Sequence, residues 1–125
     1  MKKVLKYVLL VSLWLVILVL SQTEVKATTP ASTVIINGQE LDFEYKYLVD
    51  GVREKSGTLG SGGCTAQFDS NTGVLTLNRY SGKGIQTGQG QDLTIKLIEN
   101  NKITENCGSQ AWGINKESDG ALTIT

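Results

Sequence analysis

The sequence writes one phrase twice. GIQTGQGQDLTI runs from Gly84 to Ile95, and GINKESDGALTI runs from Gly113 to Ile124, 29 residues later (113 − 84 = 29). Both open Gly-Ile and close Leu-Thr-Ile. VLTL at Val74 to Leu77 is a third segment of the same form, so VLTL, DLTI and ALTI each set a threonine between two aliphatic residues. In a strand, alternate side chains face opposite sides. Leu75 and Leu77, Leu93 and Ile95, and Leu122 and Ile124 are therefore predicted to point one way, with Thr76, Thr94 and Thr123 pointing the other. Ile85 and Ile114 add an inward aliphatic to each of the two later units, and the glycine before each permits a corner.

Self-similarity with a period of ~20–50 residues is the mark of stacked repeats, in which each unit buries its apolar face only against its neighbours. The period here is uneven. Leu75 to Leu93 is 18 residues and Leu93 to Leu122 is 29. Loops bulging from constant strands would absorb the difference. No segment outside the amino-terminal run has sustained helical periodicity, which leaves a parallel β-helix or a small antiparallel sandwich. The repeated Leu-Thr-Ile with intervening corners favours the β-helix. Two and a part repeats are visible before Thr125, where about three are needed for stability. The domain is accordingly expected to be an incomplete β-helix of few coils, truncated at its C-terminus, the N-terminal fragment of a longer protein.

The amino-terminal segment sits outside that pattern. Lys2, Lys3 and Lys6 form a basic start, Tyr7 to Leu20 is apolar except for Ser12, and the polar stretch from Ser21 leads to Val25-Lys26-Ala27. This is the layout of a secretory signal peptide, helical in its apolar part and cut after Ala27. The apolar run has 20 − 7 + 1 = 14 residues, short of the ~20 that span a bilayer. A retained membrane anchor is the alternative. The domain reading is residues 1–27 signal, 28–33 linker with the single Pro30, and 34–125 the β domain. Without Lys2, Lys3, Lys6, Lys26 and Glu24, 12 − 4 = 8 basic and 12 − 1 = 11 acidic residues remain. That mild acidity argues against a nucleic-acid partner, which calls for a basic patch.

Within 34–125, Val34-Ile35-Ile36 followed by Asn37-Gly38 and a second extended stretch, Leu41 to Val49, reads as a hairpin, and Asp50-Gly51 as the next turn. This amino-terminal hairpin or meander is expected to cap the domain. The loop Lys55 to Gly63 (KSGTLGSGG) offers no core residues. Cys64 to Phe68 reads as a strand and Asp69 to Gly73 as a turn. Cys64 and Cys107 could form one disulfide in an oxidising compartment or be two small buried apolar residues. Buried residues are the favoured reading, because no multi-cysteine framework is present. Histidine is absent, which removes the commonest general base. With no Cys-x-x-Cys spacing either, a structural zinc site is not expected.

The phrases GVLTLNRYSGKGI, DLTIKLIENNKIT and WGINKESDGALTIT resemble a family of secreted Gram-positive proteins, the carbohydrate-binding-domain proteins of the clostridial cellulose- and pectin-binding type. The similarity covers roughly Val74 to Thr125 and, more loosely, Val34 to Val52. It implies a right-handed parallel β-helix in an exported or cell-surface protein that binds polysaccharide, with calcium as a conceivable cofactor.

The candidate binding residues come from the few aromatics and their neighbours. A sugar site commonly sets an aromatic face against the C–H side of a pyranose, with polar groups at the rim. Tyr80 lies beside Arg79 and Lys83, and Trp112 is equivalent to Lys83 by the 29-residue offset. Arg79, Tyr80, Lys83 and Trp112 therefore form the candidate ligand face, with corner packing as the alternative. Asp69, Asp92 and Asp119 are oxygen ligands of the kind calcium takes, but none lies in a spaced-acid loop, and turn formation explains them equally. Asn78, Asn100, Asn101, Asn106 and Asn115 suit corner turns between coils. The acids are scattered rather than clustered in a groove, so no catalytic residues are assigned. The expected function is a non-catalytic carbohydrate-binding module. A surface scaffold or adhesin without a glycan ligand, or a fragment of a β-helical polysaccharide lyase, are the alternatives. Membrane contact is expected only through the signal segment.

Overall fold

The computed structural model describes residues 29–87, 91–105, 113–116 and 120–125. The signal-peptide reading of residues 1–27 lies outside them, as do Cys107, Asn106, Trp112 and Asp119. The chain is all-β, with mixed sheets and none of them closed.

Two hairpins begin it. β1 (Val34–Ile36) and β2 (Gln39–Leu41) are antiparallel, joined by Asn37 and Gly38 with φ of 54° and 73°. β3 (Tyr47–Val49) and β4 (Val52–Glu54) are joined in the same way by Asp50 and Gly51, with φ of 50° and 81°. Positive φ at both central residues is the type I′ geometry, whose twist matches that of the flanking strands. The Asn-Gly and Asp-Gly turns are therefore where the sequence predicts them. The extended stretch expected over Leu41 to Val49 is broken, however. Asp42 accepts hydrogen bonds from the backbone N–H groups of Glu44 (2.7 Å) and Tyr45 (2.8 Å) through Oδ1, and this side-chain turn separates β2 from β3.

β5 (Cys64–Asp69) lies antiparallel to β3, and β6 (Val74–Asn78) lies antiparallel to β5. From β9 onward the new pairings are parallel. β7 (Ser81–Lys83) and β8 (Ile85–Thr87) follow, then β9 (Leu93–Ile98), β10 (Lys102–Glu105), β11 (Ile114–Lys116) and β12 (Leu122–Ile124). Each later strand lies parallel to the one three elements earlier: β9 on β6, β10 on β7, β11 on β8 and β12 on β9. The amino-terminal strands cover the other side of this set, with β5 against β6 and β1 antiparallel to β8.

The duplicated phrase fixes the register. Leu122 lies on Leu93, Thr123 on Thr94 and Ile124 on Ile95, and Ile114 lies on Ile85. All are 29-residue offsets. The 18-residue offset from Leu75 to Leu93 is not the register. Leu75 pairs with Ile95 and Leu77 with Leu97, an offset of 20. A two-residue slip keeps every side chain on its expected face. Its physical origin is Gly73. That corner sits against Asp92, which is also paired with Pro30 in the 29–31 segment.

The core is the shared apolar interior. Val34, Ile36, Leu41, Leu48, Ala66, Phe68, Leu75, Leu77, Tyr80, Ile85, Leu93 and Ile95 are buried together. Burying each large aliphatic or aromatic side chain stabilises the fold by roughly 1.5–3 kcal/mol. Cys64 is a free, buried thiol whose Sγ donates to the Ala66 carbonyl. Burial raises its pKa, so it behaves as a small apolar core residue.

Candidate functional site

The site builds outward from the end of β6. Asn78 is its last residue, and Arg79 turns the chain with φ of 54°. That left-handed conformation sends the backbone round a corner into β7. Across from it the loop Gly60–Gly63 folds back on β5. Cys64 N–H donates to Ser61 O (2.9 Å), and Gly60 N–H donates to Cys64 O (2.9 Å). Gly60 has φ of 81°, where an L side chain is strained, and a Cβ there would meet Asn78 Nδ2 at 2.6 Å and push that side chain aside, so glycine favours closure of the loop on the β6 end.

Between these walls lies an open cleft of about 440 Å³ lined by Gly60, Ser61, Gly62, Gly63, Cys64, Thr65, Asn78 and Arg79. That is within the ~300–1,000 Å³ usual for ligand sites. Arg79 Nη2 donates to Gly60 O (2.6 Å) and Nε faces Glu99 Oε2 (3.1 Å). These contacts fix the guanidinium at the rim and leave N–H donors to spare. Asn78 Oδ1 is shielded from solvent and accepts no hydrogen bond, a state that costs about 1–3 kcal/mol. The hydroxyls of Ser61 and Thr65 complete a wall of short polar groups. No carboxylate or imidazole lines this cleft.

Of the four residues read as a ligand face, the structure brings only Arg79 to this cleft. Tyr80 is 2% exposed. Its ring packs in the core, and its hydroxyl donates to the Lys83 carbonyl, so the ring offers no face for stacking. The alternation of β6 is broken at the Arg79 corner, which sends Arg79 out and Tyr80 in. Lys83 is exposed at the end of β7, where its backbone is opposite Glu105; Trp112 lies outside the described residues. The asparagines divide as corner residues should. Asn101 Oδ1 accepts from Tyr80 N–H (2.9 Å) while its Nδ2 donates to Ile98 O (3.0 Å) and Glu99 O (3.2 Å). Asn101 thus ties one corner to the corner stacked on it.

The reading of residues Lys55 to Gly63 as a loop without core residues holds, but that loop is also half of the cleft. The signal in the sequence was the run Gly60-Ser61-Gly62-Gly63, whose importance depends on a partner about 18 residues away. Among the described residues the most exposed aromatic is Phe43, 74% exposed at the tip of the Asp42 turn. Next to it Tyr45 is stacked by the Arg53 guanidinium (4.5 Å) and approached by the Lys55 ammonium (5.1 Å). Asp69 Oδ1 accepts from Asn71 N–H and its Oδ2 from Thr72 Oγ1, while Asp92 Oδ1 accepts from Ala121 N–H (2.5 Å). Both act as turn and corner acceptors, and among the described residues no group of three or more His, Cys, Asp or Glu converges as a metal site.

Fold and cleft together define an all-β chain with a shallow polar cleft at a strand corner. Comparison with protein families, with curated proteins and with solved structures returns no match to this chain.

Proposed function

We propose that this chain is an exported, non-catalytic carbohydrate-binding module on a right-handed parallel β-helix, and that the cleft between the glycine loop and Asn78–Arg79 is its sugar site. The β-helix reading is supported by the parallel pairing of every strand from β9 to β12 with the strand three elements earlier. The single observation that carries the ligand class is the wall chemistry. A guanidinium with spare donors, a carboxamide and two hydroxyls surround a space of about 440 Å³. Sugar hydroxyls both donate and accept, and so match such a mixed set; an apolar ligand would leave it unpaired. The resemblance to secreted polysaccharide-binding proteins points the same way and supports a location outside the cell or at its surface.

A surface scaffold without a glycan ligand is the second reading. It is favoured by the internal engagement of Tyr80 and by the two contacts that Arg79 makes within the chain. Screening wild type, Arg79→Ala and Asn78→Ala on an immobilised plant and cell-wall glycan panel separates the two. Retention that both substitutions weaken about tenfold or more, with unchanged thermal melting, supports the cleft. Retention unaffected by either substitution would remove the cleft, and no retention on any glycan by a folded protein would leave the scaffold.

A further inference from the structure

The cleft carries one charge of its own. Among the described residues that line it, Arg79 is the single charged side chain. Two carboxylates border it without lining it. Glu99 Oε2 lies 3.1 Å from Arg79 Nε. Asp50 packs against Gly63. Its backbone N–H donates to Gly63 O (3.0 Å), and its Oδ1 and Oδ2 lie 2.1 and 3.0 Å from where a Cβ on Gly63 would sit. One guanidinium therefore has two carboxylates for neighbours.

The position of Glu99 follows from the stacking. Asn78 pairs with Ile98 in the β6–β9 register, so the residues that follow, Arg79 and Glu99, occupy equivalent corners one strand apart. Both are left-handed, with φ of 54° and 57°, a conformation uncommon for residues with a Cβ. Asn101 holds the two corners in step. Its Oδ1 accepts from Tyr80 N–H (2.9 Å) and its Nδ2 donates to Glu99 O (3.2 Å). Side chains leaving equivalent corners in the same conformation meet as an ion pair. Both are more than half exposed, so the pair adds little to stability. What it changes is the field at the mouth of the cleft.

A guanidinium has five N–H donors. One faces Glu99 and one donates to Gly60 O, which leaves three. Sugar hydroxyls can accept from these without meeting a net charge. A carboxylate or sulfate on a sugar meets an arginine whose charge is already offset, and two carboxylates that repel it.

We propose that Glu99 sets the charge preference of the cleft: paired with Arg79, it suits the site to uncharged glycans and turns away acidic ones. The proposal rests on the reading of the cleft as a sugar site. Glu99 acts through Arg79 and is a positioning residue. Removing a unit charge about 6 Å from a bound anion raises affinity for that anion by roughly three- to tenfold at low ionic strength, and added salt reduces the gain.

The test uses the full chain in mild nonionic detergent and two series of soluble oligosaccharides of matched length, neutral hexose oligomers and the corresponding uronic-acid oligomers. Calorimetric titration at low ionic strength reads both affinities. Wild type is expected to prefer the neutral series. Glu99→Gln keeps the size of the side chain and is expected to raise the acidic-to-neutral affinity ratio roughly three- to tenfold, with thermal melting unchanged and a gain that shrinks in salt. Glu40→Gln, an exposed acid on β2, is expected to leave the ratio unchanged. A merely structural role for Glu99 would lower both affinities together and leave the ratio as it was. Wild type binding the acidic series as well as the neutral one, or an unchanged ratio or loss of both affinities in a folded Glu99→Gln, would overturn the proposal while the sugar site stands. Failure of wild type to bind either series would overturn the sugar site and the proposal with it.

Discussion

Gly73→Ala is expected to be strongly damaging for a single added methyl group, with Gly38→Ala as its control. Both glycines have positive φ, 65° and 73°, where an L side chain costs about 1–2 kcal/mol. Their surroundings differ. A Cβ at Gly38 meets nothing within 4 Å, so that conformational cost is the whole effect. A Cβ at Gly73 would lie 2.6 Å from Asp92 O and 2.7 Å from Ala31 N, and these are backbone atoms that cannot swing aside. They are also partners of each other: Ala31 N–H donates to Asp92 O (2.8 Å), Asp92 N–H donates to Thr29 O (2.8 Å), and Gly73 O accepts from Thr94 N–H (2.9 Å). Making room for the methyl group breaks or stretches at least two of these bonds, at about 0.5–1.5 kcal/mol each. The total is roughly 3 kcal/mol for Gly73→Ala against about 1 kcal/mol for Gly38→Ala. Urea unfolding followed by circular dichroism reads both as shifts in midpoint at constant slope. Equal shifts for the two variants would show that the 29–31 segment does not pack on the Gly73 corner. The account of the 20-residue register between β6 and β9 would then lose its physical basis.

Tyr80 gives a second expectation. Tyr80→Phe removes the hydroxyl bond to Lys83 O at a cost of about 1 kcal/mol, and Tyr80→Ala leaves a cavity at a cost of about 3–5 kcal/mol. Urea unfolding measures both, and glycan retention by Tyr80→Phe is expected to match wild type. The Asp42 turn gives a third, in pH. The N–H of Tyr45 foremost, helped by the N–H of Glu44 and the charge of Arg53, holds the Asp42 carboxyl below its ordinary value against the opposing effect of desolvation, which is second in size. A depressed folded pKa contributes stability above the unfolded value of 3.8, and the contribution is lost as pH falls through the folded value. The stability gap between wild type and Asp42→Asn should therefore shrink as acid is added over about pH 5 to 2. A gap that is constant or widens in acid would contradict the assignment.

The legible part of this fold is the part encoded locally or by repetition. Asn37-Gly38 and Asp50-Gly51 specify their turns by themselves, because few residue pairs accept two positive φ angles in succession. The 29-residue phrase specifies its own register, because an aliphatic repeated at one spacing can stack on its copy. The features that were not legible depend on residues far apart in sequence. Leu75 and Leu93 look equivalent in their strings, VLTL and DLTI, and only the packing of 29–31 on Gly73 moves the pairing to Ile95. Tyr80 has the composition of a ligand residue, an aromatic between basic neighbours. Its burial follows from the positive φ at Arg79 and from Asn101 accepting its N–H, neither of which has a sequence signal at position 80. The cleft is illegible for the same reason, since its walls are a glycine loop and a strand end that meet only after β5 and β6 have paired. This set of stacked strands therefore shows two kinds of information side by side. Strands write their neighbours into the repeat, whereas corners acquire their chemistry from whatever loop the stacking brings against them. At this molecule's corners, what lines a cleft is decided by which loops close on strand ends, and an aromatic beside basic residues in sequence can still be drawn into the core, as Tyr80 is.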